Sequence, residues 1–386
     1  MTAYIGLMSG TSMDGIDACL VDFSDDDSAP PRLLATHHGE YPSGLLDEMK
    51  ALARSDAPHG VHRMARLDAW LGECFADAAR KVMHSGGVGR AGIAAIGSHG
   101  QTLRHAPAEE HPYTLQIGDP HRIAERTGLT VIADFRRRDI AAGGQGAPLV
   151  PPAHAALFGH AGEYRVIANI GGIANITLLP PEDATHAETI RGFDTGPGNT
   201  LMDAWILRHQ GVPFDRDGAW AQQGQVNTTL LERLLDDPYF GLPAPKSTGP
   251  ELFNPDWLAS RGRDSTNILP PEDVQATLLE LTARSLIAAT RKAAPGADRV
   301  LVCGGGAYNT ALLARLRELG EGMTVETTAA HGIEPAWVEA MAFAWLARQT
   351  LRGLPGNLPS VTGARGERIL GAIYPATPGG EPSDQR

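Results

Sequence analysis

The sequence predicts an α/β protein built from two domains. Three observations carry this: a length of 386 residues, two strand–glycine turn–strand units whose starts lie 160 residues apart, and helical patterns that alternate with short apolar runs. A chain of this length exceeds one ordinary hydrophobic core. Apolar content of 42% and aromatic content of 6% describe a soluble globular protein. No apolar run reaches the roughly 18 residues that a membrane span needs. The N-terminus enters a strand pattern directly, without a charged-then-apolar leader, so secretion is not expected. The three cysteines, Cys19, Cys74 and Cys303, are widely separated and read as thiols in a reducing compartment. A net charge of −12 argues against non-specific nucleic-acid binding. With only four lysines, phosphate chemistry must rely on arginine, backbone and metal. Together these features predict a cytoplasmic enzyme.

The elements follow in order. Tyr4–Met8 is an apolar strand, Ser9-Gly10-Thr11-Ser12 a turn of small hydroxylated residues, and Ile16–Val21 a second strand. Leu67–Val82 carries apolar residues at helical spacing. Ile93–Ile96 is a short strand leading into Ser98-His99-Gly100-Gln101-Thr102, and Thr130–Ala133 another, leading into Asp134-Phe135 and a basic cluster. The Gly-rich stretch Ala141–Gly146, with Pro148, Pro151 and Pro152 behind it, predicts a crossover between domains. Tyr164–Leu179 repeats the strand–glycine turn–strand plan. Gly192–Asn199 is a Gly/Pro-rich turn, and Thr200–Gln210 a helix closed by Gly211. Pro213–Pro271 is polar and Pro/Gly-rich, with short helices at best. Glu272–Ala293 is a helix, Arg299–Cys303 a strand feeding Gly304-Gly305-Gly306, and Glu334–Leu351 a last helix. The tail after Pro375 reads as disordered.

Several clusters suggest chemistry. The turn after Met8 offers backbone N–H groups, three hydroxyls and the carboxylates Asp14 and Asp17, which suit a phosphate and an accompanying Mg²⁺ better than a bare anion. An ordinary hairpin with a polar turn is the plain alternative. No Gly-Lys-Ser/Thr occurs, which excludes a P-loop. Gly304–Asn309 follows a strand but lacks the third glycine of a dinucleotide fingerprint. It is either a tight turn or a flat shelf for an adenine or ribose. Asp194, placed between a strand end and a helix start, is the candidate general base; simple capping by Asp194 or Asn199 is its alternative. Asp134–Asp139, with Arg136, Arg137 and Arg138, suits a substrate carboxylate or phosphate, or is a solvated charge run. His99, His105 and His111 fit no usual zinc spacing. His99 and Gln101 suit a polar ligand, Glu339 reads as surface, and Glu334 suits a cleft.

Seven strings, taken in order, resemble one family: GLMSGTSMDGID (Gly6–Asp17), SHGQT (Ser98–Thr102), QIGDP (Gln116–Pro120), DFRRRDIAAGGQGAPLVP (Asp134–Pro151), NIGGIAN (Asn169–Asn175), GFDTGPGN (Gly192–Asn199) and CGGGAYN (Cys303–Asn309). The chain resembles the anhydro-N-acetylmuramic acid kinases of cell-wall recycling, within the actin, hexokinase and Hsp70 superfamily. That resemblance implies two ribonuclease-H-like domains with ATP in the cleft between them, and a homodimer. The expected domains are residues 1–140 and 141–349, with 350–375 packing back on the first. The implied reaction opens the 1,6-anhydro bond with water while O6 takes the γ-phosphoryl group of ATP. Asp194 matches the catalytic aspartate. Implied nucleotide contacts are Gly10, Thr11, Ser12, Met13, Asp14, Gly15, Ile16 and Asp17, then Gly171, Gly172, Gly304, Gly305, Gly306 and Asn309. Gln101, Arg138, Asp139 and Glu334 are the sugar-binding candidates. Mg²⁺ is expected to bridge the phosphates, with Asp14 or Asp17 in its outer shell, because Met8-Ser9 stands where hexokinase-like chains carry an acidic residue. A free-hydroxyl kinase of the same superfamily and a nucleotide-gated binding protein are the competing readings.

Overall fold

A computed structural model describes residues 2–10, 13, 15–23, 30–53, 59–181, 189–263 and 265–376. Its strands are β1 (Thr2–Met8), β2 (Ile16–Phe23), β3 (Arg32–Gly39), β4 (Ile93–Ser98), β5 (Gln101–Ala106), β6 (Tyr113–Ile117), β7 (Val131–Ala133), β8 (Arg165–Ile170), β9 (Ile173–Leu179), β10 (Arg191–Pro197), β11 (Arg299–Cys303), β12 (Thr324–Thr327) and β13 (Ala372–Tyr374). The chain forms two units, Met1–Leu157 with Trp337–Arg386, and Phe158–Ala336.

In the first unit the sheet order is β13-β7-β4-β1-β2-β3. β2 runs antiparallel to both β1 and β3, whereas β4 is parallel to β1, and β7 to β4. β1 is central and carries an almost unbroken apolar run, as a strand buried on both faces must. The helix Gly60–Gly86 packs across it, burying Leu71 and Phe75 with Ile5, Leu20 and Ile96. The helix Val338–Leu351 also lies against β1 and β4. It approaches so closely that a Cβ on Gly6 would stand 1.8 Å from the Ala340 carbonyl oxygen, and one on Gly97 2.0 Å from that of Phe343. Buried alanines, Ala340, Ala344 and Ala347, stand where the helix meets these two glycines.

In the second unit the order is β10-β9-β8-β11-β12, with β9 antiparallel to β8 and β10, and β11 parallel to β8 and β12. Leaving aside the added edge strand β13, both sheets follow one plan: strands three, two, one, four, five, with the second reversed. That is ribonuclease-H-like topology, twice. The helix Pro271–Ala293 covers this sheet, with Leu278 and Leu281 joining Val166, Ala168 and Val302 in the core.

The expected boundaries at 140/141 and 349/350 are corrected to 157/158 and 336/337. Residues 141–146 stay in the first unit because Asp139 ties the Gly146 N–H to Asn357 and Thr362, and the last helix belongs there because glycines on β1 and β4 admit it. That helix begins at Val338, after a short 3₁₀ turn at Pro335–Trp337, and not at Glu334. Residues 350–376 do lie in the first unit, where β13 pairs with β7. Helix Thr200–Gln210 ends at Gly211 in the left-handed region (φ 71°), as its sequence predicts. The polar segment after it folds into short helices with buried Leu230, Leu234, Tyr239, Phe253 and Trp257. Its polar residues are caps: Asn227, Asp237 and Asn254 each accept a backbone N–H at a helix start. Among the described residues, Cys19 and Cys303 are buried and outside any disulfide. Among the described residues no helix is long and apolar enough to cross a membrane. The tail from residue 377 lies outside the described residues.

Candidate functional site

Thr11, Ser12 and Asp14 lie outside the described residues. Around them the β1–β2 turn is held by side chains. The Met13 N–H donates to the Gly10 carbonyl at 3.2 Å, and Met13 sits at φ 54°, a left-handed conformation uncommon for a long side chain. Ser9 is buried, and its Oγ donates to Gln101 Oε1 at 2.5 Å and is hydrogen-bonded to the Tyr41 hydroxyl. The Tyr41 hydroxyl also lies 3.1 Å from the Gly15 carbonyl, a second acceptor for its single proton, so it links both ends of the turn. Gln101, a sugar-binding candidate, is fully enclosed here and braces the turn. Ile16 is a core residue, so any ligand contact there is through backbone. Asp17 is hydrogen-bonded to His38 Nδ1 at 2.8 Å and keeps about a third of its side chain exposed, at 32%.

The arginine cluster forms the helix Phe135–Ala141, and its three guanidinium groups part company. Arg136 points inward, donating to His99 Nε2 from Nε at 3.1 Å and to the Gly146 carbonyl from Nη1 at 2.8 Å. Burial, outweighing the charges of Glu339 and Asp139, lowers its pKa to about 10. His99 donates from Nδ1 to the Gly100 carbonyl and packs on Phe343 at 4.7 Å. Burial, then the Arg136 charge, holds it neutral with a pKa of about 3. Both ring nitrogens are thus used internally. Among the described residues no group of three metal-ligating side chains occurs. Arg137 pairs with Asp134 at 3.4 Å, and Arg138 is exposed. Asp139, a sugar-binding candidate, is fully buried and serves as an internal tie, accepting from Gly146 N–H, Asn357 Nδ2 and Thr362 Oγ1 at 2.7–2.8 Å.

In the second unit the β8–β9 turn is held by backbone. The N–H groups of Gly198, Asn199 and Thr200 donate to the carbonyls of Gly172, Gly171 and Gly172 at 2.8–3.1 Å. This sets the glycine turn beside the start of helix Thr200–Gln210, a place that favours anions. A Cβ on Gly171 or Gly172 would meet nothing nearer than 3.6 and 3.8 Å, so the turn's face is open. Gly305 is open likewise, its nearest neighbour being Asn199 Nδ2 at 3.6 Å. Gly304 and Gly306 differ, since a Cβ on either would stand 2.4 Å from Asn169 Oδ1 or Ile170 Cγ2. Those two glycines are required by packing against β8. Asn309 uses its Oδ1 to cap the helix Thr310–Leu319. Glu334 is exposed, next to Pro335, whose carbonyl accepts the Gly304 N–H at 3.2 Å.

Asp194 lies inside β10, not between strand and helix, and caps nothing. A register shift follows it, between Asp194 and Gly196, where a bulge re-aims the strand. Its N–H donates to the Lys246 carbonyl at 3.1 Å, its own carbonyl accepts from the Tyr239 hydroxyl at 2.8 Å, and its Oδ2 accepts from the Thr248 N–H at 3.0 Å. Burial pushes its carboxyl up from 3.8 to about 6; Glu251 adds to this, while Thr248 and Lys246 oppose it. A carboxylate so poised is mostly ionised at neutral pH yet basic enough to take a proton. Sequence reasoning missed Tyr41, Tyr239, Lys246 and Thr248, and it named Ser9 and Arg136 without their internal partners. The four missed residues carry no local signal.

Two ribonuclease-H-like units, an open glycine turn beside a helix start, and a half-buried, tethered carboxylate define the phosphoryl-transfer class of α/β proteins. Comparison with known proteins is more specific. Residues 2–376 match the anhydro-N-acetylmuramic acid kinase family, and the chain belongs to it. A relative of that name from Xanthomonas campestris pv. campestris (strain 8004) is 52% identical over 97% of each chain. One from Shewanella loihica is 53% identical over 96% of this chain and 98% of its own. A third, from Pseudomonas paraeruginosa, is 52% identical over 97% and 100%.

Proposed function

We propose that the chain uses ATP and water to convert 1,6-anhydro-N-acetylmuramic acid into N-acetylmuramic acid 6-phosphate and ADP, in the recycling of peptidoglycan. Family membership over residues 2–376 carries the substrate. The half-buried, tethered Asp194, with its carboxyl raised to about 6, supports the mechanism. The anhydro sugar has no free 6-hydroxyl, since O6 is bonded to C1. Asp194 as carboxylate accepts a proton from water, whose oxygen forms the new bond to C1. The C1–O6 bond breaks, and O6 takes the γ-phosphoryl group, which neutralises the leaving oxygen as a proton would in an inverting glycosidase.

The open faces of Gly171, Gly172 and Gly305 fit a nucleotide, and Gly10–Asp17 match the family's nucleotide loop. Mg²⁺, when bound, supplies charge neutralisation at the phosphates. Asp17, already hydrogen-bonded to His38 and partly exposed, fits an outer-shell place, and Asp14 stands with it as the second candidate. Exposed Arg138 and Glu334 are the proposed sugar contacts, toward the lactyl carboxylate and a hydroxyl respectively. A cytoplasmic homodimer belongs to the same reading.

Turnover with ATP and the anhydro sugar in ¹⁸O-labelled water tests it. Label at C1 of a 6-phosphorylated product, lost in Asp194→Asn, is the expected result. Turnover without label would instead identify a free-hydroxyl kinase. No turnover, with ATP still bound, would identify a nucleotide-gated binding protein.

A further inference from the structure

The segment between the helix Thr200–Gln210 and the helix Pro271–Ala293 has, among the described residues, no counterpart in the first unit, and it has no role in the reaction as written so far. Yet every hydrogen bond named above for Asp194 comes from it: Lys246 to its N–H, Tyr239 to its carbonyl, Thr248 to its carboxylate. The segment is itself anchored. Tyr239 lies edge-on to Phe253 at 5.3 Å, and Phe253 packs on Trp257 at 4.9 Å. Asp237 accepts from the Tyr239 N–H, the Trp257 indole and the Arg261 guanidinium at 2.7–2.9 Å. Phe240 presses on Gly196 at the bulge, where a Cβ would come within 2.7 Å of its ring.

Lys246 closes this arrangement. Its ammonium donates to the Tyr239 carbonyl at 2.9 Å and stands 4.4 Å from the Tyr239 ring centroid, while its own carbonyl holds Asp194. One side chain therefore locks the residue that grips Asp194 from one side to the backbone that grips it from the other. We propose that Lys246 is a positioning residue for the general base, fixing the Asp194 backbone through Tyr239. The inference rests on Asp194 being that base.

The charged and titratable groups acting on this carboxylate are Lys246, which favours ionisation, and Glu251, which opposes it. Tyr239 stays a neutral phenol, its pKa pushed up by burial and then by Asp194. Lys292, on the helix Pro271–Ala293, acts on Lys246, whose pKa burial chiefly lowers. The strand neighbour opposite Asp194 is uncharged Asn175.

The test is the pH dependence of kcat/KM for the anhydro sugar. In Lys246→Met the acid limb, set by Asp194, should move up by about half to one pH unit, and kcat should fall about tenfold. Lys246→Gln keeps a hydrogen-bond donor for Tyr239 and loses only the charge, so it should move the limb without the full loss in kcat. Lys246→Arg should restore the limb. Tyr239→Phe should lower kcat with the limb unmoved, and Glu251→Gln should move it down. KM for ATP should stay unchanged throughout. A Lys246→Met profile superimposable on wild type overturns the proposal. If Asp194→Asn abolishes turnover while the lysine variants match wild type, this inference alone fails. If Asp194→Asn keeps turnover, the base assignment itself fails.

Discussion

Replacing Asp194 by Asn should cripple the enzyme and stabilise it, and the second effect should depend on pH. Burial raises the Asp194 carboxyl from 3.8 to about 6. A group held above its ordinary value contributes fully to stability below pH 3.8 and loses that contribution as pH rises through about 6. At roughly 1.4 kcal/mol per pH unit, keeping this carboxylate ionised costs the folded protein about 3 kcal/mol at neutral pH. Asn retains an acceptor for the Thr248 N–H, although burying its amide takes back part of the gain. A net stabilisation of about 1–3 kcal/mol near pH 7.5 is expected, shrinking toward zero near pH 4. Native-state hydrogen exchange of β9 and β10 amides reports the unit that carries Asp194 without assuming that both units unfold together. Turnover should fall by about 10²–10⁴-fold in the same variant. A stability difference that does not change with pH would refute the reasoning, because Asp194 would then not titrate near 6.

Three further outcomes are expected. Gly97→Ala, whose methyl would stand 2.0 Å from the Phe343 carbonyl oxygen, forces the last helix away from β4; a loss of about 3 kcal/mol or more in urea unfolding of the first unit is expected, and wild-type stability would show that the helix yields. Asp139→Ala removes the acceptor for three buried donors and should cost about 3–5 kcal/mol in the same measurement, with no selective rise in KM for the sugar; such a rise at wild-type stability would return Asp139 to the site. Arg138→Ala, at an exposed position, should leave the melting temperature unchanged and raise KM for the sugar about tenfold, and an unchanged KM would remove Arg138 from the site.

What the sequence made legible follows from the range of the interactions concerned. The helix Thr200–Gln210 was readable to the residue, because Gly211 is a local stop signal. The hairpins were readable from apolar runs meeting glycine turns. The placement of residues 141–157 and 337–349 was not, because it depends on Asp139 reaching a segment more than 200 residues away and on Gly6 and Gly97 admitting a helix. Glycines on strands look like weak strand formers until the helix above them is seen. The segment after Pro213 read as short helices at best, and its buried apolar anchors went unmarked, because Asn, Asp and Pro at helix starts are caps that in sequence resemble loop residues. Asp194 stood out by composition, but its tether, Tyr239 and Lys246–Thr248, lies 45–54 residues downstream with no local mark.

The doubled topology also explains why the two glycine turns differ. Each sheet places its first hairpin turn at the same end of the same strand pair, but support arrives differently. In the second unit a helix starts beside the turn, and backbone N–H groups of Gly198, Asn199 and Thr200 hold it. Small residues suffice there, and Gly171-Gly172 need no side-chain partner. In the first unit the turn is braced by Ser9, Tyr41 and Gln101, contributed by the strand end, the β3 exit and β5. Side-chain braces can be lost one at a time, whereas a backbone-held turn follows the fold as a whole. The first turn is therefore the one that a single substitution, such as Tyr41→Phe, can loosen without disturbing the sheet beneath it.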